Sequence, residues 1–463
     1  MRQLTSFGKA VALATVSSAL LWTPGVAAFA ADIASGAEWS LSDMGVLTVG
    51  KDYEWAHGDY DCKDGWKGHL AQVKEVKIEE GQKCIGICAF KGCAALAKVG
   101  IPSSVGKIWN DAFSGCSKLT SATLPEKVTV IESKTFADCT SLKSVTLAEG
   151  TSEISYAAFL NCASLAAIEL PKGIVKITAS AFKGCTSLKT VDIPSGVAKV
   201  CQDAFSGCGS LKSVSLPKGL TVIDDYAFAG CASLASISIP QNVATIGKYA
   251  FRGCSALTGI TLPRGMTEVA NYAFEGCSKL ASVEIPKGVT TIGEYAFKGC
   301  VALMDVNLPE EVKTIGHMAF YGCTSLGTVV IPQSVTSIKS EAFEKCTGLK
   351  NVTSLATVPP SLGGYAFKGV SCPLTVPAGT VGAYESSDWA LYFSFIHQSG
   401  TSSAGVVTED TRVSVSGGMI TVGGHPAKEA YDLVGRRLRP GTASGRGAYI
   451  VRTPHGGKKV VVK

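Results

Sequence analysis

Twelve cysteines recur every 23 residues from Cys93 to Cys346 without a slip. Twelve leucines, Leu96 to Leu349, and the phenylalanines from Phe90 to Phe343 keep the same step. A chain that returns to the same residue types at a fixed interval of roughly 20–29 positions folds as stacked coils. One coil is too small to enclose a core, so its neighbours must complete it. Function in such an array is read from its surfaces.

The unit from 211 to 233 reads Leu-Lys-Ser-Val-Ser-Leu-Pro-Lys-Gly-Leu-Thr-Val-Ile-Asp-Asp-Tyr-Ala-Phe-Ala-Gly-Cys-Ala-Ser, and Leu234 begins the next. Its Leu-x-x-Val-x-Leu start, echoed at Leu119, Ala122 and Leu124, predicts a short strand with alternate side chains turned into the core. The proline that follows removes a backbone donor and ends the strand, and Pro-Lys-Gly at 171–173 and 286–288 is turn chemistry. A second apolar pair comes next, such as Val128 with Ile131 or Val289 with Ile292. The closing Ala-Phe-x-Gly-Cys predicts one short helical turn that its glycine terminates. Stacked at about 4.8 Å, these positions form ladders of Leu, Ile, Phe and Cys, and the Phe stripe is core rather than a cofactor box. One coil departs: Ala148 stands in place of proline and Thr151 in place of valine, so it is expected to be locally softer.

The pattern Leu-x-x-Val-x-Ile-Pro-x-x-Val-x-x-Ile-x-x-x-Ala-Phe-x-Gly-Cys, carried from Val73 to about Ile396, resembles the BspA-type leucine-rich repeat of bacterial surface proteins. The resemblance implies a curved leucine-rich repeat solenoid with a strand-lined face. It also implies adhesion to host matrix proteins or to other bacteria.

The aperiodic stretches fall at the two ends. Residues 1–30 read as a secretory signal: Arg2 and Lys9 give a basic start, 10–21 an apolar run too short to span a membrane comfortably, and Ala28-Phe29-Ala30 a small-x-small cleavage site. Residues 31–72 are expected to cap the first coil, since a bare solenoid end exposes unpaired strand edges and raw core. Within them Trp39-Ser40-Leu41 and Gly45-Val46-Leu47-Thr48-Val49 read as a hairpin, and Trp55, Tyr60 and Trp66 follow in a polar, irregular stretch. His57, Cys62 and His69 lie near Asp59, Asp61 and Asp64, but the spacing matches no strong zinc pattern and a plain capping loop is expected.

About thirteen coils occupy 73–369, ending in a one-residue slip at Tyr365-Ala366-Phe367. A C-terminal cap is expected over 370–396: a last strand at Leu374-Thr375-Val376, then a short amphipathic helix carrying Trp389 and Phe393. Residues 397–408, rich in Ser, Gly and Thr, read as a linker. Alternating patterns at Met419–Val422, Tyr449-Ile450-Val451 and Val460-Val461-Val462 make 409–463 a small all-β sandwich. Its pieces Tyr431-Asp432-Leu433-Val434-Gly435-Arg436-Arg437, Gly447-Ala448-Tyr449-Ile450-Val451-Arg452 and Lys459-Val460-Val461-Val462-Lys463 are similar to the C-terminal sorting domain of type IX secretion cargo in Gram-negative bacteria. That resemblance implies passage to the outer-membrane surface through the type IX machinery. Val434 and the loop at Pro440 depart mildly from the usual pattern.

The net charge of +6 points toward acidic partners until it is located. Arg2 and Lys9 contribute +2, and residues 409–463, with ten Lys or Arg against four Asp or Glu, contribute +6, so the middle of the chain is near −2. No basic face is left for a nucleic acid. Seventeen cysteines in an exported chain ordinarily mean disulfides. Here in-register neighbours carry parallel side chains, and bridging them would distort a geometry repeated at every rung, so the twelve ladder cysteines are expected as reduced, buried thiols. Cys62, Cys84, Cys88, Cys201 and Cys372 lie off the ladder, and a bridge among the first three stays open.

Two surfaces are candidates for binding. Along the strands the outward positions are small and polar, among them Ser121, Thr123, Ser144, Thr146, Ser213, Ser215, Ser236 and Ser238, with Glu169, Asp192, Glu284, Asp305 and Asn307 interspersed. Such a face can exchange hydrogen bonds with a protein or a glycan, or be solvated sheet. Just before the Ala-Phe pair, Tyr226, Tyr249, Tyr272 and Tyr295 fall on consecutive coils and would stack into a ridge roughly 15 Å long. The ridge reads either as an aromatic binding strip or as rings that cover the coil corner with their hydroxyls in water.

Catalytic constellations are missing: there is no Gly-x-Ser-x-Gly, no phosphate-binding glycine loop and no His-Glu-x-x-His. Asp224-Asp225 and Glu310-Glu311 fall at coil turns, where solvated charge is the ordinary explanation. The expectation is therefore a non-enzymatic protein without cofactor or metal and, once mature, without a transmembrane segment. It is expected to be secreted or held at the cell surface and to bind a host extracellular-matrix or cell-surface protein. A glycan-capturing surface protein and a structural envelope component are the alternatives.

Overall fold

The computed structural model describes residues 31–55 and 65–399, and strand backbone between 413 and 462. The expected signal segment, the loop with His57, Asp59, Asp61, Cys62 and Asp64, most of the linker and most of the Tyr431–Arg437 motif lie outside the described residues.

Short strands and turns repeat as a solenoid of about fourteen turns. Most coils contribute a strand of three or four residues to one side, such as Ser213–Ser215, and a two-residue strand to a second side, such as Val222–Ile223. Strands on both sides pair in parallel with the equivalent residues 23 positions on, as Val283 with Val306 and Ile292 with Ile315. The pleat keeps Val214 and Val283 buried and their flanking residues outward, which is the alternation predicted from Leu-x-x-Val-x-Leu. Parallel pairing runs past Phe367 into Leu374–Val376 and then Ile396–Gln398, a final rung that the pattern did not mark.

The third side of the coil corrects an expectation: Ala-Phe-x-Gly-Cys is not a helical turn. In one coil Tyr226, Phe228 and Gly230 donate their N–H groups to Lys248, Ala250 and Arg252 of the next coil, at 2.9, 2.8 and 2.7 Å. The alternate donors Ala229 and Cys231 close turns onto Tyr226 and Phe228 at 3.0 and 3.2 Å. A helix would spend all of these bonds inside the coil. Two left-handed residues, Tyr226 with φ 58° and Gly230 with φ 72°, turn every second donor outward instead. The Ala of the pair has one replacement, Thr135, whose hydroxyl donates to the Glu132 carbonyl at 2.8 Å.

Inside, the Phe rings form a continuous stack. Successive centroids from Phe90 to Phe367 are 5.0 to 5.6 Å apart, and Phe205 and Phe228 are within 5° of parallel. Beside them each ladder thiol is buried, and from Cys116 to Cys346 each donates to a backbone carbonyl of the preceding coil. Cys116 Sγ reaches the Phe90 oxygen at 3.1 Å, and Cys208 Sγ the Phe182 oxygen at 3.2 Å. The same carbonyl already accepts the N–H of the cysteine in its own coil, as Phe182 does from Cys185 at 3.1 Å. Burial pushes Cys208, Cys277 and Cys346 up to about 12, so these thiols stay protonated. Cysteine therefore acts as a small hydrophobe that also carries a weak donor. Cys201 and Cys372 are half-buried and thiols as well.

Aromatic residues close both ends of the stack. At the start, β1 (Asp32–Gly36), β2 (Trp39–Ser42) and β3 (Val46–Val49) form an antiparallel sheet, and β3 pairs in parallel with β4 (Glu75–Ile78). Trp66 lies on Phe90 with centroids 5.7 Å apart and donates its indole N–H to the Ala89 carbonyl at 2.9 Å. Trp55 donates to Gln82 Oε1 at 2.8 Å, so neither buried indole is left unsatisfied. At the far end, the single-turn helix α1 (Val381–Glu385) buries Tyr384 rather than the expected Trp389 and Phe393. Trp389 sits in the following 3-10 turn, Asp388–Leu391, packs on Phe367 at 5.3 Å, and donates to the Pro360 carbonyl at 2.9 Å. Phe393 follows that turn and meets Phe367 edge-on at 5.1 Å.

Beyond the solenoid, backbone strands form two three-stranded antiparallel sheets. One contains Val413–Ser416, Met419–Val422 and His425–Pro426, the other Glu429–Tyr431, Gly447–Thr453 and Gly456–Val462. Among the described residues no helix is long and apolar enough to cross a membrane.

Candidate functional site

The strand side is the face where outward residues change from coil to coil. Its ladder is not continuous. Strands pair at Ser121–Thr123 with Ser144–Thr146 and at Thr190–Asp192 with Ser213–Ser215, then run unbroken from Gly259–Thr261 to Ile396–Gln398. Two rungs, 167–169 and 236–238, carry no strand. Glu169, Ser236 and Ser238 were expected on strands and are instead exposed or partly exposed residues of these irregular rungs, although Lys189 and Thr258 still donate to Ala166 and Ala235 at 3.1 and 3.2 Å.

A shallow hollow of about 600 Å³ opens beside the second irregular rung. Ser238, Thr261, Glu284 and Asn307 border it in one column, Gly259 and Ser282 in the other, and Gln241 from the turn. Gly259 lines it without a side chain, and a Cβ there would stand in ordinary contact with Ser282 Oγ at 3.5 Å. Thr261 faces Glu284, Glu284 faces Asn307, and Ser282 faces Asp305 across the parallel pairs. The structure thus gathers three expected residues, Glu284, Asp305 and Asn307, on adjacent strands. Asp192, on strand Thr190–Asp192, and Glu169, on the irregular rung before it, are exposed in an earlier stretch and do not reach the hollow. Thr261, Ser282 and Gln241 went unremarked in the sequence; the missed signal was Gly259, a bare position where the next coils carry Ser282 and Asp305.

Ion pairs follow a different distribution. Carboxylates on the other sides and at the first rung bridge coils, as Glu132 with Lys107 at 3.2 Å, Asp224 with Lys199 at 2.8 Å and Glu75 with Lys98 at 3.2 Å. Glu169, Asp192, Glu284 and Asp305 form no ion pair among the described residues. From Ser121 to Val330 the outward strand positions carry these four carboxylates and no Lys or Arg.

The tyrosine ridge exists and is tightly made. Tyr226, Tyr249, Tyr272 and Tyr295 stack with centroids 4.5, 4.4 and 4.4 Å apart and planes within 12° of parallel. His317 meets the last ring edge-on at 5.0 Å. All four tyrosines are left-handed, with φ of 58°, 60°, 59° and 56°. This is a costly conformation for a bulky residue, and it is imposed by the outward-turned N–H described above. Arg252 and Glu275 flank the ridge as an ion pair of 2.8 Å, with Lys298 joined to Glu275 at 3.3 Å. Both faces of Tyr249 and Tyr272 are covered by neighbouring rings, which leaves edges and hydroxyls to solvent.

Among the described residues no group of three His, Cys, Asp or Glu could hold a metal ion. Of His57, Cys62 and His69 only His69 is described, and its Nδ1 lies 2.9 Å from Gln72 Oε1.

Coils of this length, with a strand-lined side and a Leu, Phe and Cys core, define a leucine-rich repeat solenoid. The model of the BspA type Leucine rich repeat region matches over residues 68–189, 152–281 and 244–374, and the chain belongs to that family. It is similar to the crystal structure of a leucine-rich repeat protein from Bacteroides ovatus, with 31% identity over 65% of this chain and 84% of that one and a TM-score of 0.55. A leucine-rich repeat protein from Eubacterium ventriosum matches at 25% identity over 67% of this chain and 92% of that one, TM-score 0.46. A leucine rich cell surface protein from Faecalibacterium prausnitzii matches at 26% identity over 80% of this chain and 95% of that one, TM-score 0.43. No curated protein matches the chain.

Proposed function

We propose that this chain is a secreted, surface-displayed binding protein, an adhesin that engages a host extracellular-matrix or cell-surface protein, or another cell, through its strand face. The observation that carries the reading is the contrast on that face. The buried positions repeat, whereas the outward ones vary and include four carboxylates that form no ion pair among the described residues. A rigid stack holds such a face without ordering cost on binding, so many weak contacts can add along it. Residues 409–463 would serve export and attachment through the type IX machinery, and 1–30 entry into the secretory route. Leucine-rich repeat solenoids are ordinarily binding scaffolds rather than enzymes, and this reading needs no cofactor.

Glycan capture is the second reading, and the ridge is the observation that favours it. Its geometry weakens it, because a sugar stacks on a ring face and the inner rings of the ridge have none open. The test is saturable binding of the purified full-length protein to immobilised matrix proteins and to a glycan array. Binding to a matrix protein, graded down by coil deletion, supports the adhesin. Binding to glycans alone, lost in Tyr249→Ala/Tyr272→Ala, moves the function to the ridge. No binding on either panel contradicts both and leaves a structural role in the envelope.

A further inference from the structure

We infer that the stretch of strand face running from the hollow at Gly259 and Ser282 across Asp305 to Val330 recognises a cationic, partly apolar protein segment. In this arrangement a Lys or Arg meets Glu284 and Asp305, and an aliphatic side chain beside it rests on Met304 and Val330. The inference rests on reading the strand face as the binding surface, and it adds the place on that face and the chemistry of the occupant.

Charge selects this stretch over the rest of the face. Glu169 and Asp192 are the other unpaired carboxylates, but the corner positions of nearby coils carry Lys143, Lys189 and Lys212. Around the hollow the same corner positions are Thr258, Ala281, Met304 and Gly327, with no cation. Arg264 and Lys287 follow the prolines that end the strands and do not line the hollow. A positive group approaching Glu284 and Asp305 therefore meets less competition than one approaching the earlier pair.

Apolar exposure coincides with this charge. Met304 is 55% exposed and Val330 46% exposed. Met304 stands out because its neighbours up and down the stack are small: it donates to the Ala281 carbonyl at 3.1 Å and accepts from Gly327 at 2.9 Å. Val330 occupies the outward column one rung beyond Asn307. Asn307 lies between Glu284 and Val330 in the outward column, with Thr261 on the other side of Glu284, and both offer hydrogen bonds to a peptide backbone. A neutral sugar would neither neutralise the carboxylates nor find an aromatic platform, since no aromatic side chain lines the hollow. An anionic ligand would be repelled. Protein segments that place Arg or Lys next to Leu, Ile or Val satisfy all three features.

The test is a fluorescence-anisotropy titration of the full-length protein with three labelled synthetic peptides: one alternating Arg and Leu, one with Glu for Arg, and one with Ala for Leu. The expected result is saturable binding of the Arg/Leu peptide and at least about tenfold weaker binding of the other two. Glu284→Gln/Asp305→Asn should weaken it about tenfold, as loss of a charge-assisted contact does. Met304→Ser/Val330→Ser should weaken it severalfold, and Glu169→Gln/Asp192→Asn should leave it unchanged. These are surface exchanges, and an unchanged melting curve shows that the fold is intact. Equal loss from the two carboxylate pairs, or from neither, overturns the site. Failure of the peptide to bind while a matrix protein binds, and Ser282→Trp abolishes that binding, overturns the cationic ligand but leaves the strand face standing. Matrix binding untouched by Ser282→Trp overturns the role of this region of the strand face.

Discussion

The phenylalanine ladder and the strand face are built on the same 23-residue step, yet one repeats its residue at every coil and the other changes it. Phe rings meet rings of their own kind at 5.0 to 5.6 Å, so any other side chain breaks contacts with two neighbours at once. Outward strand residues meet water, and little in the packing decides among Ser, Thr, Glu or Asn. Repetition therefore marks where the array is held together, and variation marks where it is free to acquire a partner. The tyrosine ridge falls between: it repeats over four coils, lies at the surface, and has its inner ring faces covered by itself.

The largest effect that would break this contrast is alkaline. Burial raises the ladder thiols, several to about 12, while in the unfolded chain they titrate near 9. The unfolded state thus releases protons first. The stabilisation is whole below pH 9 and is lost as pH rises toward 12, by about 1.4 kcal/mol per thiol per pH unit. With a whole ladder titrating together, denaturant midpoints should drop sharply between pH 9 and 11. A midpoint flat across that range would mean that the thiols are not buried as described. Below pH 9 a thiol reagent should label the ladder cysteines only after denaturant is added.

Single substitutions sharpen the same contrast. Phe205→Ala removes one ring from the stack and should cost about 3–5 kcal/mol in chemical denaturation. Ser213→Ala, on the strand face of the next coil, should stay within about 0.5 kcal/mol. Thr151 is the ladder position with the opposite sign. It is fully buried and its hydroxyl has no hydrogen-bond partner, so Thr151→Val should stabilise by about 1–2 kcal/mol. The ridge should respond less than the Phe stack: Tyr249→Ala should cost about 1 kcal/mol, the stacking loss. Tyr249→Gly should cost less, because glycine relieves the left-handed backbone.

Much of the core was legible because identical residues on a fixed period must share one environment; Phe90 to Phe343 could be nothing else. The closing turn was not, because Ala-Phe-x-Gly-Cys looks helical locally, while its N–H groups are claimed by a coil 23 residues on. The thiol donor was hidden for the same reason, its acceptor lying 26 residues back on the chain backbone. On the strand face Glu284, Asp305 and Asn307 could be named, but not assembled. Ser236 and Ser238 look like any other outward pair, and only in the folded stack does their rung leave the ladder beside Gly259.

The most direct test of strand-face binding compares two variants in one saturable binding assay against matrix proteins, with circular dichroism as the check on folding. Ser282→Trp fills the hollow without changing charge, and Tyr249→Ala/Tyr272→Ala dismantles the ridge. Binding lost in the first and kept in the second is the predicted result. Binding kept when the hollow is filled and lost when the ridge is removed would contradict it.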